Sequence, residues 1–242
     1  MNVELNHIYN EDCLKTLQRM EDNSIDLICT SPPYNKGAHA KASDGKLWNA
    51  IIDYDSYDDS MPQDDYEEWQ KTIIKECLRV LRPSGSLFYN HKDLIEDGHI
   101  IHPKWMYDFN VHQLIIWNRL ATPNVGNRYF LPTTEYVYLV IKDAKKFKFN
   151  RNNACFNSCV WNLTAELNTK HPAPFPLKLV DNMICACTDE GDVVYDPFMG
   201  SGTTALACVK YKRNYIGSEI SSTYVKMAQD RINEENMTLS LF

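Results

Sequence analysis

The 242-residue sequence has no apolar run of the roughly 18 to 20 residues needed to cross a bilayer, which excludes a membrane-spanning helix. Its beginning has no basic segment followed by a long apolar stretch, so no signal peptide is expected. The chain is read as cytoplasmic, with reduced thiols and no membrane partner. None of the eight cysteines shows Cys-x2-Cys spacing. Cys155 and Cys159 are three residues further apart than neighbours, Cys185 and Cys187 sit inside an expected helix, and no metal is expected. Positive charge is not in excess. A formal net charge of −7 weighs against a surface built throughout for phosphate contacts. Internal repeats and low-complexity segments are also absent.

What remains is a chain with 44% hydrophobic residues, enough for one α/β domain with a buried core and a small appendage, but too short for two full domains. Charge is unevenly placed. Asp53, Asp55, Asp58, Asp59, Asp64, Asp65, Glu67 and Glu68 form an acidic stretch, whereas Lys142, Lys145, Lys146, Lys148 and Arg151 form a basic run interleaved with Phe147 and Phe149. The basic run can contact a DNA backbone or be a solvated hairpin turn.

Residues 24–30 read as a short buried strand stopped by Ser31-Pro32-Pro33. Residues 36–63 have no sustained period and are expected to be a long, mobile surface loop. A helix is expected over 65–82, capped by Asp64 or Asp65, with Trp69, Ile73, Cys77, Val80 and Leu81 on one face and Pro83-Ser84-Gly85 ending it. Further strands are expected at 86–89, 111–117 and 134–141, the last buried on both faces. The polar segment 142–170 is the candidate for a small target-recognition insert. From Pro176 the pattern is a helix at 177–187, a strand at 193–196, a glycine turn, a helix at 203–211, a strand at 214–217 and a final helix at 222–236.

Two constellations carry chemistry. Asp196-Pro197-Phe198-Met199-Gly200-Ser201-Gly202-Thr203-Thr204-Ala205 places Gly-x-Gly-x-x-Ala between a strand and a helix. Small residues there let the backbone approach a ligand, and the helix start offers free N–H groups. Glu219 closes the next strand seventeen residues after Gly202, a position from which it can accept both hydroxyls of a ribose. This pattern suits a nucleoside cofactor or a dinucleotide.

The second is Thr30-Ser31-Pro32-Pro33-Tyr34-Asn35. An exocyclic amine on a base is a poor nucleophile because its lone pair is delocalised into the ring, so acceptors must hold its protons and favour a pyramidal nitrogen. The Ser31 hydroxyl and the Pro32 carbonyl can do this. The rigid Pro32-Pro33 pair fixes them in place, and Tyr34 offers a face for an extruded base.

Together these motifs resemble the amino-methyltransferases of DNA modification, specifically the permuted β-group in which the catalytic motif precedes the cofactor motif. Thr30 to Asn35 is similar to the family's (Asp/Asn/Ser)-Pro-Pro-(Tyr/Phe) signature, and Asp196 to Thr203 to its cofactor loop. Tyr9 to Leu14, His171-Pro172 and Gly217-Ser218-Glu219 extend the likeness.

The resemblance implies a Rossmann-like α/β class I methyltransferase fold with a mostly parallel seven-stranded sheet and an antiparallel hairpin. It implies S-adenosylmethionine as cofactor, with S-adenosylhomocysteine as product, and duplex DNA as substrate. Asp12 and Cys13 would then contact the cofactor's adenine, Glu219 its ribose, and Asp196, Pro197, Phe198, Gly200, Ser201, Gly202 and Thr203 its methionine part. Ser31, Pro32, Pro33 and Tyr34 would form the catalytic loop. A cognate restriction endonuclease and a homodimer are further implied partners.

One departure is Phe175, where the family commonly carries Lys before the last proline. The rival readings are methylation of RNA or of a protein amide, a non-catalytic nucleic-acid-binding subunit on the same fold, and a nicotinamide enzyme, which leaves Ser31 to Tyr34 without a purpose. Within the family, Ser at the first motif position leans towards cytosine N4 over adenine N6. The target sequence is not legible, because it rests on a few side chains of loops.

Overall fold

A computed structural model describes residues 2–35, 60–96, 99–121, 130–155, 158–164 and 175–239. The central sheet has the order β1-β10-β9-β2-β3-β7-β6-β8. Its strands are β1 (His7–Tyr9), β2 (Ile25–Thr30), β3 (Leu81–His91), β6 (Val111–Asn118), β7 (Thr134–Ile141), β8 (Val160–Asn162), β9 (Val193–Asp196) and β10 (Asn214–Ser218). Only β7 runs against its neighbours, so β6 and β7 form the antiparallel hairpin and the rest of the sheet is parallel. A small separate hairpin pairs β4 (Leu94–Glu96) with β5 (His99–Ile101).

The sheet is covered on both faces, which is why β2 is buried at every position. Leu27 and Cys29 point into a core shared with α3 (Leu177–Cys187), α4 (Thr203–Lys210) and α5 (Ser222–Leu239). Ile25 and Ile28 point to the opposite face, against α1 (Cys13–Arg19) and α2 (Gln63–Val80). The alternation of side chains along a strand builds the two cores from one sequence run.

Strands β9 and β2 are neighbours although they lie far apart in the chain, with Leu27 opposite Val194. The helix after β9 packs on one face and the helix after β2 on the other. This divergence makes a crevice at the carboxyl ends of the two strands, where ligands bind in open α/β sheets.

The α/β class, the antiparallel hairpin and the run of elements after Pro176 agree with the sequence reading. Four local features differ. Among the described residues the sheet has eight strands instead of seven, because Val160–Asn162 adds to the edge beside β6. Helix α2 starts at Gln63 after Pro62 with no side-chain cap; Asp64 and Asp65 lie inside its first turn. Pro83, Ser84 and Gly85 do not end that helix. Leu81 already begins β3, and the three residues sit in an irregular stretch between the pairs Ile25–Leu81 and Leu27–Ser86. There a Cβ on Gly85 would lie 2.6 Å from the Asp26 carbonyl oxygen. Of the long loop expected at 36–63, residues 36–59 lie outside the described residues.

The basic run is the fourth. Because β7 is antiparallel, its end at Ile141 emerges at the amino edge of the parallel strands, opposite the crevice. Lys142 Nζ donates there to Asn23 Oδ1 at 2.7 Å and to the Leu81 carbonyl at 2.9 Å. Lys148 bridges Asp189 and Asp192, each at 2.9 Å. These lysines tie down the far edge of the sheet, so the DNA-contact reading does not apply to them. Among the described residues of 142–170, Asn162 at the end of β8 lies at the crevice edge, where Asn118 Nδ2 donates to its Oδ1 at 2.8 Å.

Candidate active site at the carboxyl edge of the sheet

Parallel pairing brings the ends of β1, β10, β9, β2, β3 and β6 to one edge, and antiparallel β7 starts there. Both constellations therefore meet at the crevice. The link is Asp196, the last residue of β9. Its Oδ1 accepts from the Thr30 hydroxyl at 2.8 Å and from the Phe198 N–H at 3.0 Å, and its Oδ2 accepts from the Thr204 hydroxyl at 2.7 Å. Thr30 is the residue before Ser31, and Thr204 belongs to α4. Burial pushes the Asp196 carboxyl up to about 6, opposed by these three hydrogen bonds.

The glycine turn is shaped for close approach. Gly202 has φ of +85°, and a Cβ there would meet Ala228 Cβ at 2.7 Å, so only glycine fits. Arg231 donates to the Ser201 carbonyl at 2.6 Å and to its Oγ at 3.0 Å. Glu219 spans the turn: its carboxylate accepts from Gly200 N–H at 2.8 Å and from Ser221 N–H at 2.9 Å. Burial raises its pKa, and those N–H groups oppose the rise. The chain from Tyr9 joins the same place, since the Tyr9 carbonyl accepts from Glu219 N–H at 3.0 Å and Asn10 Nδ2 donates to the Glu219 carbonyl at 2.9 Å.

Asp12 and Cys13 follow directly. Asp12 Oδ1 caps α1 by accepting from Leu14 N–H at 2.8 Å, and the Cys13 thiol is buried, which raises its pKa. Phe198 lies edge-on to Trp69 of α2, with ring centroids 5.8 Å apart. Thr203 Oγ1 is a buried hydroxyl without a hydrogen-bond partner among the described residues. An orphaned hydroxyl at a glycine cradle, with a carboxylate at the next strand end, fits a nucleoside cofactor.

Ser31 to Asn35 are held from three sides. The Pro33 carbonyl accepts from Tyr66 Oη at 2.8 Å and from Gln70 Nε2 at 3.4 Å, both on α2. Since the Tyr66 proton goes to Pro33, its oxygen accepts from His91 Nε2 at 2.9 Å, and His91 Nδ1 then accepts from the Lys92 N–H at 2.9 Å. Burial holds His91 well below the usual imidazole range, at about 4, so it is neutral. Asn35 takes φ of +57° and donates from Nδ2 to the Met61 carbonyl at 2.8 Å.

Tyr34 is buried, its ring centroid 5.1 Å from that of His91 and 5.5 Å from Lys92 Nζ. Its Oη meets Ser31 Oγ at 2.7 Å and Glu135 Oε2 at 3.2 Å. Ser31 remains partly exposed.

The candidate residues are therefore brought to one edge. His171 and Pro172 lie outside the described residues, and Phe175 packs edge-on against Trp117, centroids 6.2 Å apart, a packing role for the residue that departs from the family's Lys. Sequence reasoning missed Tyr66, Gln70, Asn90, His91, Lys92, Arg119 and Glu135. The local signal was a polar residue at the end of an otherwise apolar run, as in Leu87-Phe88-Tyr89-Asn90-His91 and Thr134-Glu135-Tyr136.

The architecture is the α/β class I methyltransferase fold. The chain belongs to the DNA methylase family N6_N4_Mtase, whose model matches residues 25–230. It is an S-adenosylmethionine-dependent DNA methyltransferase that acts on an exocyclic amino group. It is 32% identical over 254 residues to the Type II methyltransferase M.HpaI of Haemophilus parainfluenzae, covering 93% of this chain and 73% of that one. It is 25% identical over 261 residues to the DNA adenine methyltransferase YhdJ of Escherichia coli (strain K12), covering 95% and 83%. The solved PvuII DNA methyltransferase, cytosine-N4-specific, superposes with a TM-score of 0.74 at 18% identity, covering 97% of this chain and 92% of that one.

Proposed function

We propose that Ser31 Oγ and the Pro32 carbonyl accept the amino protons of a base extruded from duplex DNA, with cytosine N4 ahead of adenine N6, while the glycine turn and Glu219 hold the cofactor. The observation that supports this reading is the Asp196 tie, which joins the loop bearing Ser31 to the helix of the glycine turn through two hydroxyls. When bound, S-adenosylmethionine supplies an electrophilic methyl group and leaves as S-adenosylhomocysteine. Glu219 would accept the ribose hydroxyls, Asp12 and Cys13 would border the adenine, and Phe198, Gly200, Ser201, Gly202 and Thr203 would line the methionine part. Asp196 and Pro197 shape that turn; the Asp196 carboxylate acts through its three donors.

As the nitrogen gives its lone pair to the methyl group its N–H becomes acidic; hydrogen-bond acceptors already in place lower the barrier without reorganisation, and the displaced proton is released to solvent. The Tyr34 ring is the stacking face for the base. The cytosine preference rests on Ser31 in the motif's first position. Target recognition is assigned to the insert at 142–170, within one methyltransferase domain. A homodimer, readable by light scattering, and a cognate restriction endonuclease complete the proposal.

Separate binding measurements test the division of labour. Glu219→Gln is expected to weaken S-adenosylmethionine binding about tenfold, a loss of about 1.4 kcal/mol, with DNA binding unchanged. Tyr34→Ala is expected to do the reverse. Equal losses of both ligands in either variant contradict the assignment.

A further inference from the structure

A hydroxyl can accept an amine proton only if its own proton is directed elsewhere, and around Ser31 that direction is set by groups outside the loop. Glu135, the second residue of β7, is buried at the crevice edge. Its Oε1 accepts from Arg119 at 2.6 Å; its Oε2 accepts from Asn90 Nδ2 at 2.8 Å and lies 3.2 Å from Tyr34 Oη. Burial would raise the Glu135 carboxyl, but the charges of Lys92 and Arg119 and the Asn90 hydrogen bond outweigh it and hold it below the usual range, so it is a carboxylate.

A carboxylate only accepts, so the Tyr34 proton points to Glu135. The Asn90 amide has a fixed orientation for the same reason, since turning it over would set its carbonyl oxygen against Glu135. One Asn90 N–H goes to Glu135, and the other is shared between Tyr34 Oη at 2.5 Å and Ser31 Oγ at 3.3 Å. With its proton used and Asn90 donating to it, Tyr34 Oη has a lone pair left for Ser31, 2.7 Å away. The Ser31 proton therefore goes to Tyr34, and an acceptor site of Ser31 Oγ is left open to the crevice. The reverse order, Tyr34 donating to Ser31, would place a lone pair of Tyr34 against the carboxylate.

We infer that Glu135, with Asn90 and Arg119, is a positioning unit that orders the hydroxyl protons of Tyr34 and Ser31 so that Ser31 Oγ faces the reacting amine as an acceptor. The inference rests on the proposed role of Ser31. It assigns Tyr34 a second duty beside stacking, and it explains why a charged Arg–Glu pair stands where β6 ends and β7 begins, at the crevice edge, where burial of charge is otherwise costly. In Glu135→Gln the neutral amide can donate to Tyr34, the Tyr34 proton turns to Ser31, and the acceptor is lost.

The test is methyl transfer from S-adenosylmethionine to unmethylated DNA by Glu135→Gln, Tyr34→Phe, the double variant and Ser31→Ala. Glu135→Gln and Tyr34→Phe are each expected to lower kcat about 10- to 100-fold, in the range of groups that orient a reacting ligand through one contact, with KM for DNA and cofactor within about threefold. The double variant is expected to be no slower than Tyr34→Phe, because the relay is already cut. Effects that multiply overturn the relay, as does wild-type turnover in either single variant. If Glu135→Gln does not fold, Tyr34→Phe decides alone, since it leaves the ion pair intact. A Ser31→Ala enzyme at full rate overturns the Ser31 reading, whereas a slow Ser31→Ala beside a fast Glu135→Gln overturns only the relay.

Discussion

Ser31→Ala is expected to lower the single-turnover rate of methyl transfer by about 10²- to 10³-fold, the loss seen when one preorganised hydrogen-bonding group is removed from a reacting centre. Binding of DNA and of S-adenosylmethionine should change little. The hydroxyl is partly exposed at the crevice and carries no structural load comparable to its neighbours: Pro33 is held by α2, Tyr34 by Glu135 and Asn90, and Asn35 by the Met61 carbonyl. Removing one oxygen leaves those anchors in place, and the lost acceptor matters most when the amine becomes acidic. Rapid-quench measurement of one turnover, with cofactor binding followed separately, checks this. A rate within threefold of wild type removes Ser31 from the chemistry.

The second large effect concerns Asp196. In Asp196→Ala the hydroxyls of Thr30 and Thr204 and the Phe198 N–H lose their acceptor inside the core, at about 1–3 kcal/mol for each buried group left unsatisfied. A total loss of about 3–5 kcal/mol is expected. At about 2–4 °C per kcal/mol for a domain of this size, Tm should fall by roughly 10 °C.

The sign of the pH dependence follows from the raised pKa. Because burial lifts Asp196 to about 6, its contribution to stability is fully present below the unfolded value of 3.8 and is lost as pH rises through about 6. Asp196→Asn keeps a polar side chain without that titration, so its stability relative to wild type should improve between pH 5 and pH 7.5. Urea unfolding of both proteins at the two pH values reads the difference. A gap that stays constant, or moves the other way, would show that the carboxylate is not penalised by burial.

Much of this architecture was legible because local patterns agreed with one another. The apolar run at Ile25–Thr30, its stop at Ser31-Pro32-Pro33, and the strand–glycine–helix sequence from Val193 to Lys210 are specified within a few residues of each feature. Helix α2 shows where local signals mislead. Pro83 and Gly85 read as a helix stop, but the sheet had already claimed Leu81, and the two residues serve an irregular β3 whose Gly85 lies against Asp26. Pairing energy from β2 decided the boundary, and pairing is not local.

The same reason explains the missing half of the site. Asn90 near the end of β3, Arg119 just after β6 and Glu135 near the start of β7 are far apart in the chain; they become neighbours only through the order β3-β7-β6 and the reversed direction of β7. The basic run is the converse, since its composition left a DNA contact and a solvated hairpin turn both open, while the same reversal of β7 carries it to the opposite edge, where Lys142 and Lys148 bind the chain's own acceptors. Residues that sit next to each other in a motif could be read together. Those that meet through strand order could not.

The most direct test of the central claim is to incubate the protein with S-adenosylmethionine and unmethylated genomic DNA, digest the DNA to nucleosides and identify the products by mass spectrometry. The account predicts N4-methylcytosine, with N6-methyladenine as the outcome that keeps the chemistry and overturns the base preference. Absence of both, with cofactor binding intact, would contradict amino-group methylation of DNA by this crevice.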